Sequence, residues 1–265
     1  MSARALVGFL LAFIIVLVAR RREKLSTSGA LTALVIGTLA MTADVRWGLL
    51  LVAYFVIAVL LSTWRHAEKS ARTSAIVAKT GPRDAVQVFA NGGVYVFLAL
   101  ASAFLHSDVM TAAAIAAIAT SMADTSATEI GSAVGGEPRS VITWARVPPG
   151  TSGAVSALGT VAMIAGSTLL GMFALVLGFD WEVVRAAIVG GVAGALADSL
   201  LGSTVQERRS CPACGTLTER RLHNCHPAGV VTDVVGGVRG FDNDWVNLTS
   251  TVIGAFAAGL SRGGV

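Results

Sequence analysis

Apolar runs alternate with polar, basic stretches along the whole chain. Eight of the runs can be drawn as membrane helices, at about 5–19, 28–43, 47–64, 91–105, 109–127, 153–178, 183–204 and 245–260. A hydrocarbon core needs about 20 apolar helical residues, so the shorter runs imply tilt or partial insertion. The first run is followed by Arg20-Arg21-Arg22 and no small-residue cleavage site, which predicts a retained helix rather than a signal peptide. Glycine and alanine recur through the runs, and small residues let membrane helices approach closely. The expected fold is therefore all-α, a small-residue-packed bundle of about eight transmembrane helices. It forms a single integral membrane domain over residues 1–265, with a polar loop at 205–243.

Composition supports this reading and removes others. The 265 residues are 54% hydrophobic and 14% charged, against about 25% charged in soluble domains. Mean hydropathy is +0.71, which leaves no room for a large soluble domain. The net charge of +4 does not point to nucleic acid, because the basic residues sit between apolar runs, where they set topology and meet lipid headgroups. Sixteen of the twenty Lys and Arg residues fall in the segments after the first, third, fifth and seventh runs. The opposite side has only Arg4, Arg46, Arg185 and Arg262. The positive-inside rule then predicts a multi-pass protein of the cell's inner membrane, with its long loops in the cytoplasm and both termini outside. Trp47, Trp64, Trp181 and Trp245 near the run ends read as interfacial anchors. On this topology, Asn247-Leu248-Thr249 is a helix start rather than a glycan site, with Asn243 or Asp244 as its cap.

The polar motifs gather on that inner side. The fifth run ends in Ser121-Met122-Ala123-Asp124-Thr125-Ser126-Ala127-Thr128-Glu129-Ile130-Gly131, and continues to Gly135. At helical spacing Asp124, Thr128, Gly131 and Gly135 lie within about 60° of one another, and Glu129 sits to the side. The seventh run carries Gly190, Gly194, Asp198, Gly202 and Gln206 four residues apart. Both runs contain Ala-Asp followed by Thr or Ser, with the Asp roughly 20 Å below the outer surface. That likeness suggests a shared site and a weak internal repeat. Acids in apolar surroundings need a cation or donors, and carboxylates hold Mg²⁺, which aligns phosphate oxygens. The Gly-rich Pro148-Pro149-Gly150-Thr151-Ser152-Gly153 loop and basic residues such as Arg139 and Arg146 could cradle phosphate. There is no Walker loop, protein-kinase signature or metalloprotease motif.

A second cluster lies in the polar loop. Cys211-Pro212-Ala213-Cys214-Gly215, followed by His223-Asn224-Cys225-His226, has the spacing of a tetrahedral Zn²⁺ site, with either histidine available as the fourth ligand. The three cysteines, odd in number and in a cytoplasmic loop, argue against disulfides.

Taken together, the motifs resemble an integral membrane family that includes transmembrane protein 19 and the phytyl-phosphate kinases of the plant and cyanobacterial vitamin E pathway. The resemblance is carried by 25–30, 87–93, 123–131, 147–153, 198–202, Thr218-Glu219-Arg220-Arg221 with His223 and Cys225, and 243–247. The spaced glycines after Asp124 are also similar to those of CTP-dependent polyprenol kinases. Family members tend to have Gly where this chain has His226, which favours His223 as the zinc ligand. The resemblance implies transfer of a phosphoryl group from a nucleoside triphosphate, CTP first, to an isoprenyl monophosphate such as phytyl phosphate. On that reading Asp124, Glu129 and Asp198 bind Mg²⁺, with Asp244 as a fourth acid. Gln87, Asn91, Asn243 and Asn247 orient phosphates, and Lys24, Arg83, Arg139 and Arg146 offset their charge. Thr128, Gly131, Gly135, Gly150, Thr151 and Gly153 complete the substrate- and nucleotide-binding set. The rivals are a cytidylyltransferase making a CDP-lipid and an ion-coupled transporter. The latter predicts polar residues through the full membrane thickness.

Overall fold

The computed structural model describes residues 3–263. The side chain of Arg4 and the two chain ends, placed above on the outer face, lie outside the described residues. Five elements precede the central helix: α1 (Ala3–Arg21), α2 (Thr27–Ala43), α3 (Val45–Thr63), the short α4 (His66–Thr73) and α5 (Ala85–Leu105). Then come α6 (Asp108–Val134), β1 (Arg139–Ser140), β2 (Ala154–Val155), α7 (Ala157–Val176) and α8 (Trp181–Thr204). A loop of small strands follows, with β3 (Arg208–Ser210), β4 (Leu217–Thr218), β5 (Leu222–His223), β6 (Val230–Val231) and β7 (Asp233–Gly236), before α9 (Asn243–Gly263). Each apolar run coincides with a long helix, and α4 is an additional polar one. The helices α3, α5, α6, α7 and α8 are long and apolar enough to cross a membrane, whereas α2 has 17 residues. The molecule is a polytopic helical membrane protein.

The helix starts explain where the expected boundaries move. Asp84 accepts a hydrogen bond from the Gln87 N–H at 2.9 Å, and the Asp84 N–H donates to the Gln87 side chain at 3.2 Å. This capping box begins α5 at Ala85, six residues earlier than the apolar run alone suggests. Ser156 caps α7 through the Gly159 N–H at 3.1 Å, so the preceding Gly-rich stretch is loop rather than helix. At α9 the cap is neither Asn243 nor Asp244. Asp242 accepts from the N–H groups of Asp244 at 3.1 Å and Trp245 at 3.4 Å. Such caps contribute about 1 kcal/mol each. The all-α expectation is also amended in the loops, where the strands form a β4-β3-β7 sheet and the β1-β2 and β5-β6 pairs, all antiparallel.

The central helix is α6, packed against α3, α5, α7, α8 and α9. Its Ala112–Ala119 stretch is wholly buried, because alanine lets several helices converge on one. One close approach is at Gly194 of α8. A methyl group there would strike the Thr120 side chain and lie 2.8 Å from the Ser250 carbonyl oxygen of α9. By contrast α1 packs chiefly against α2 and presents Phe9, Phe13 and Ile14 outward.

Connections alternate between two ends. The far end has tight turns at Asp44, 106–107 and 177–180. There Trp47 is buried at 3% exposure, with its ring 5.9 Å from Tyr95 and 4.7 Å from Phe179, so it is a packing residue and not an interfacial anchor. Trp64, Trp181 and Trp245 are exposed, as anchors would be. The other end carries every long linker, and these are laced together. Ser26 N–H donates to Arg83 O at 3.0 Å and Arg83 N–H donates to Lys24 O at 3.1 Å. Gly29 permits that contact, since a methyl group at this position would collide with the Arg83 carbonyl.

Candidate functional site

The site lies at the polar end, where α6 and α8 run in the same direction side by side. Asp124 and Asp198 sit at matching depths in the two helices, and their carboxyl groups come within hydrogen-bonding reach of each other. The Ser250 hydroxyl of α9 lies beside Asp198. Asp198 Oδ2 is buried with no hydrogen-bond partner, the one such side-chain atom among the described residues. Two carboxylates facing each other in an apolar wall repel unless a cation or proton lies between them. An unpartnered buried carboxylate oxygen is therefore what a cation would satisfy.

The other predicted acids are held by lysines. Glu129 forms an ion pair with Lys69, which is buried and also donates to the Leu61 and Ser62 carbonyls at 2.7 and 3.3 Å. Asp244 is 5% exposed and receives Lys79 Nζ at 2.5 Å, while the same ammonium reaches Asp84 at 2.8 Å. Lys79 thus ties the linker before α5 to the start of α9. The structure brings Asp124 and Asp198 together as facing acids, sets Glu129 in an ion pair near Asp124, and holds Asp244 in a separate ion pair at the start of α9.

On one side of the acid pair a groove runs between α1 and α3 over α2 and α5. Half-buried Ile15, Val16, Leu51 and Phe55 line its walls, and Arg83, Gln87 and Asn91 stand at its polar-end mouth. From Leu25 at the mouth to Met41 toward the far end, its wall follows roughly 24 Å of chain. Tyr54 lines the groove too, and its hydroxyl sits among Ser121, Thr125, Arg83 and Asp124, so the mouth meets the acid pair across it. Asn91 is held in place by its Nδ2–H donating to Gln87 O at 2.9 Å, and Ser121 donates to Asn91 O at 2.9 Å.

Nearer the loops is a polar cavity of ≈ 410 Å³, bounded by Lys79, Gln206, Glu219, Arg220, Arg221 and Asn243, whose Glu219 is the link to Asp198. Glu219 is its half-buried, well-partnered acid. It accepts from the Ser152 hydroxyl, from Gln206 Nε2 at 2.8 Å and from the Ala78 N–H at 3.2 Å. Burial pushes its carboxyl above the ordinary range, against the downward pull of those donors.

The remaining predicted residues take other places. Gly131 and Gly135 face Ser156 and Gly159 of α7, where they allow close helix packing, and Thr128 is exposed. Gly153 packs on α8, where Ser203 donates to its carbonyl at 3.1 Å, and Gly150 abuts Thr73. Thr151 donates to Pro148 O at 2.7 Å within its own turn. Arg139 donates to Trp144 O at 2.8 Å, and Arg146 pairs with Glu137 at 2.9 Å on the exposed surface. Lys24 joins Arg83 through the backbone, while Asn247 O accepts from Ser250 at 2.9 Å. Tyr54, Lys69 and Glu219 were given no role from sequence. Tyr54 carries a signal as a phenol in an otherwise apolar run, and Glu219 carries one as part of the 218–221 motif.

In the 205–243 loop, Cys211, Cys214, His223 and Cys225 converge, with their ligand atoms all within 4.8 Å of one another. His223 is buried with Nδ1 3.5 Å from Cys214 Sγ, whereas His226 Nδ1 accepts from the Ala228 N–H at 3.4 Å. Thr216 hydrogen-bonds to Cys214 and draws that thiol down to about 6.

Paired, half-buried acids on two neighbouring helices of membrane-crossing length define an integral membrane protein that gathers charge at one end of its bundle. The chain belongs to the family described as Integral membrane protein DUF92, whose pattern matches residues 10–255. It is 28% identical to the uncharacterised membrane protein MJ0933 of Methanocaldococcus jannaschii, over 89% of this chain and 93% of that one. It is 26% identical to Protein PGR of Arabidopsis thaliana, covering 91% and 90%. With Protein VTE6, chloroplastic, of the same plant it shares 31% identity over 69% of this chain and 57% of that protein. No solved structure matches the chain.

Proposed function

We propose that the protein is a membrane-embedded prenyl-phosphate kinase, transferring a phosphoryl group from a nucleoside triphosphate, CTP first, to an isoprenyl monophosphate. The observation that carries this reading is the position of the acid pair. An apolar groove ends in Arg83, Gln87 and Asn91 and approaches Asp124 through Tyr54, while a polar cavity of ≈ 410 Å³, large enough for a nucleotide, approaches Asp198 through Glu219. The prenyl tail occupies the groove, and its phosphate meets Arg83 and Asn91 at the mouth. The nucleotide occupies the polar cavity. Asp124 and Asp198 hold Mg²⁺, and the unpartnered Asp198 Oδ2 fits that role. When bound, the ion offsets charge on the phosphates and aligns them.

A terminal oxygen of the prenyl phosphate attacks the γ-phosphorus of the nucleotide. The β–γ bridging P–O bond breaks, and the nucleoside diphosphate leaves with that oxygen. Arg83 draws charge from the acceptor phosphate, Tyr54 orients it, and the closed helix packing around α6 excludes water that would otherwise hydrolyse the nucleotide. Lys69 fixes Glu129 so that its charge stays beside the site without filling it. The basic linkers at this end favour a cytoplasmic orientation for it, and the cytoplasm is where nucleotides are.

The test uses the purified protein in lipid nanodiscs. Prenyl phosphates from dimethylallyl to phytyl and geranylgeranyl are crossed with CTP, ATP, GTP and UTP, and products are read by mass spectrometry. Prenyl diphosphate with nucleoside diphosphate is the expected outcome. Pyrophosphate with a CDP-lipid would make the protein a cytidylyltransferase, and no product from any pair would sink the proposal.

A further inference from the structure

The 205–243 loop cannot be held by a hydrophobic core. Among residues 207–240 the buried side chains are Cys211, Thr218, His223 and Thr232, none of them aliphatic. Leu217, Leu222, Val231, Val235 and Val238 are all exposed. Its strands are two to four residues long. A segment of this size without apolar burial needs a staple.

The cysteines and His223 have the geometry of one. Zn–S bonds of about 2.3 Å and Zn–N of about 2.0 Å in a tetrahedron put sulfurs about 3.8 Å apart and sulfur from nitrogen about 3.5 Å. Cys211 Sγ and Cys225 Sγ are 3.5 Å apart, as are Cys214 Sγ and His223 Nδ1. The first pair of ligands lies on a tight turn. Gly215 N–H donates to Cys211 O at 2.8 Å, Cys211 N–H donates to Thr216 O at 3.0 Å, and Gly215 takes the positive φ of +71° that the turn demands. Three thiolates and one imidazole select zinc over the oxygen-seeking cations.

We propose that Cys211, Cys214, His223 and Cys225 hold one structural zinc ion, and that this ion clasps the polar-end linkers together through Thr218, Glu219 and Arg220. Those three residues lie between the second and third ligands, so the ion fixes both ends of their segment. Thr218 Oγ1 donates to Ala75 O at 2.9 Å and Ile76 O at 3.0 Å, and Glu219 N–H donates to Ile76 O at 2.9 Å. Arg220 Nε donates to Val77 O at 3.0 Å. With Glu219 accepting from Ser152 and Gln206, the segment joins the linker before α5, the linker before α7 and the end of α8. The zinc assignment does not depend on the protein being a kinase.

The full-length protein, purified in detergent under reducing conditions without chelators, should contain about one zinc per chain by elemental mass spectrometry. Cys214→Ser and His223→Ala should each lose most of it, and His226→Ala should retain it. Cobalt in place of zinc should give the visible spectrum of a tetrahedral thiolate site. Removing the ion with a membrane-permeant chelator should speed amide exchange at 217–220 and also at 75–78, with re-protection on adding zinc back. No zinc in the wild-type protein, before or after zinc is supplied, overturns the site. So does a different resident metal, or a Cys211–Cys225 disulfide in its place. Zinc that can be removed without altering exchange at 75–78 overturns the clasp.

Discussion

The two ends of the bundle solve opposite problems. At the far end, three turns are short, Tyr95 donates to Trp47 O at 2.5 Å, Ser102 and Thr111 share a hydrogen bond of 2.5 Å, and Arg46 lies 4.8 Å over the Phe179 ring. Polar groups there are satisfied locally and the rings close the gap. At the polar end, charges are brought into the protein. Lys69 and Asp244 are buried, Glu219 is half-buried among donors, and Asp198 keeps a buried oxygen without a partner. Burying charge is costly unless it is paired, so a chain that does so at one end alone reserves that end for something other than stability.

Substitutions can break or sharpen that contrast. The largest effect is expected from Asp124→Asn or Asp198→Asn, each lowering prenyl-phosphate turnover more than about a hundredfold while leaving the melting temperature unchanged or raised. Asp108→Asn, which removes the acid that meets Arg262 at 3.1 Å at the far end, should leave turnover within about twofold. Full activity in Asp124→Asn would refute the cation role. Next, Trp47→Ala at the far end should cost about 3–5 kcal/mol of stability by denaturant titration in detergent, with turnover per folded molecule retained. A proportionate loss of activity in the folded fraction would mean that the ends are coupled. Lys69→Met should cost about 3 kcal/mol, because it leaves Glu129 without its cation, and Lys69→Met with Glu129→Leu should recover most of that stability but not the activity. Recovery of both would remove Glu129 from the site. The smallest effect belongs to Arg146→Ala, whose partner Glu137 is 69% exposed. A stability change under about 1 kcal/mol is expected, and a larger one would give the surface loop a role that its geometry does not.

The pairing of Asp124 with Asp198 was legible because helical periodicity and equal depth are both local quantities, readable from spacing. The Cys211 to Cys225 cluster was legible for the same reason, as its ligands lie within one loop. What spacing could not supply was partners. Lys69 and Glu129 are 60 residues apart and Lys79 and Asp244 are 165 apart, and no pattern joins such pairs before the helices pack. The Gly131 and Gly135 stripe illustrates the same limit. A small-residue face serves a ligand or a neighbouring helix equally well in sequence, and α7 takes it. Asp242, Asn243 and Asp244 are three competent caps in a row, and only the backbone's point of departure chooses among them.

The loose seat of α1 has a consequence for how the protein should be handled. Because α1 leans chiefly on α2 and turns an apolar face outward, the groove beside it would border on lipid in a bilayer. Whatever occupies that groove is then in competition with the surrounding lipid as a co-solvent. Apparent affinity for a hydrophobic ligand should follow its mole fraction in the bilayer and the packing of its neighbours, rather than its concentration in the tube.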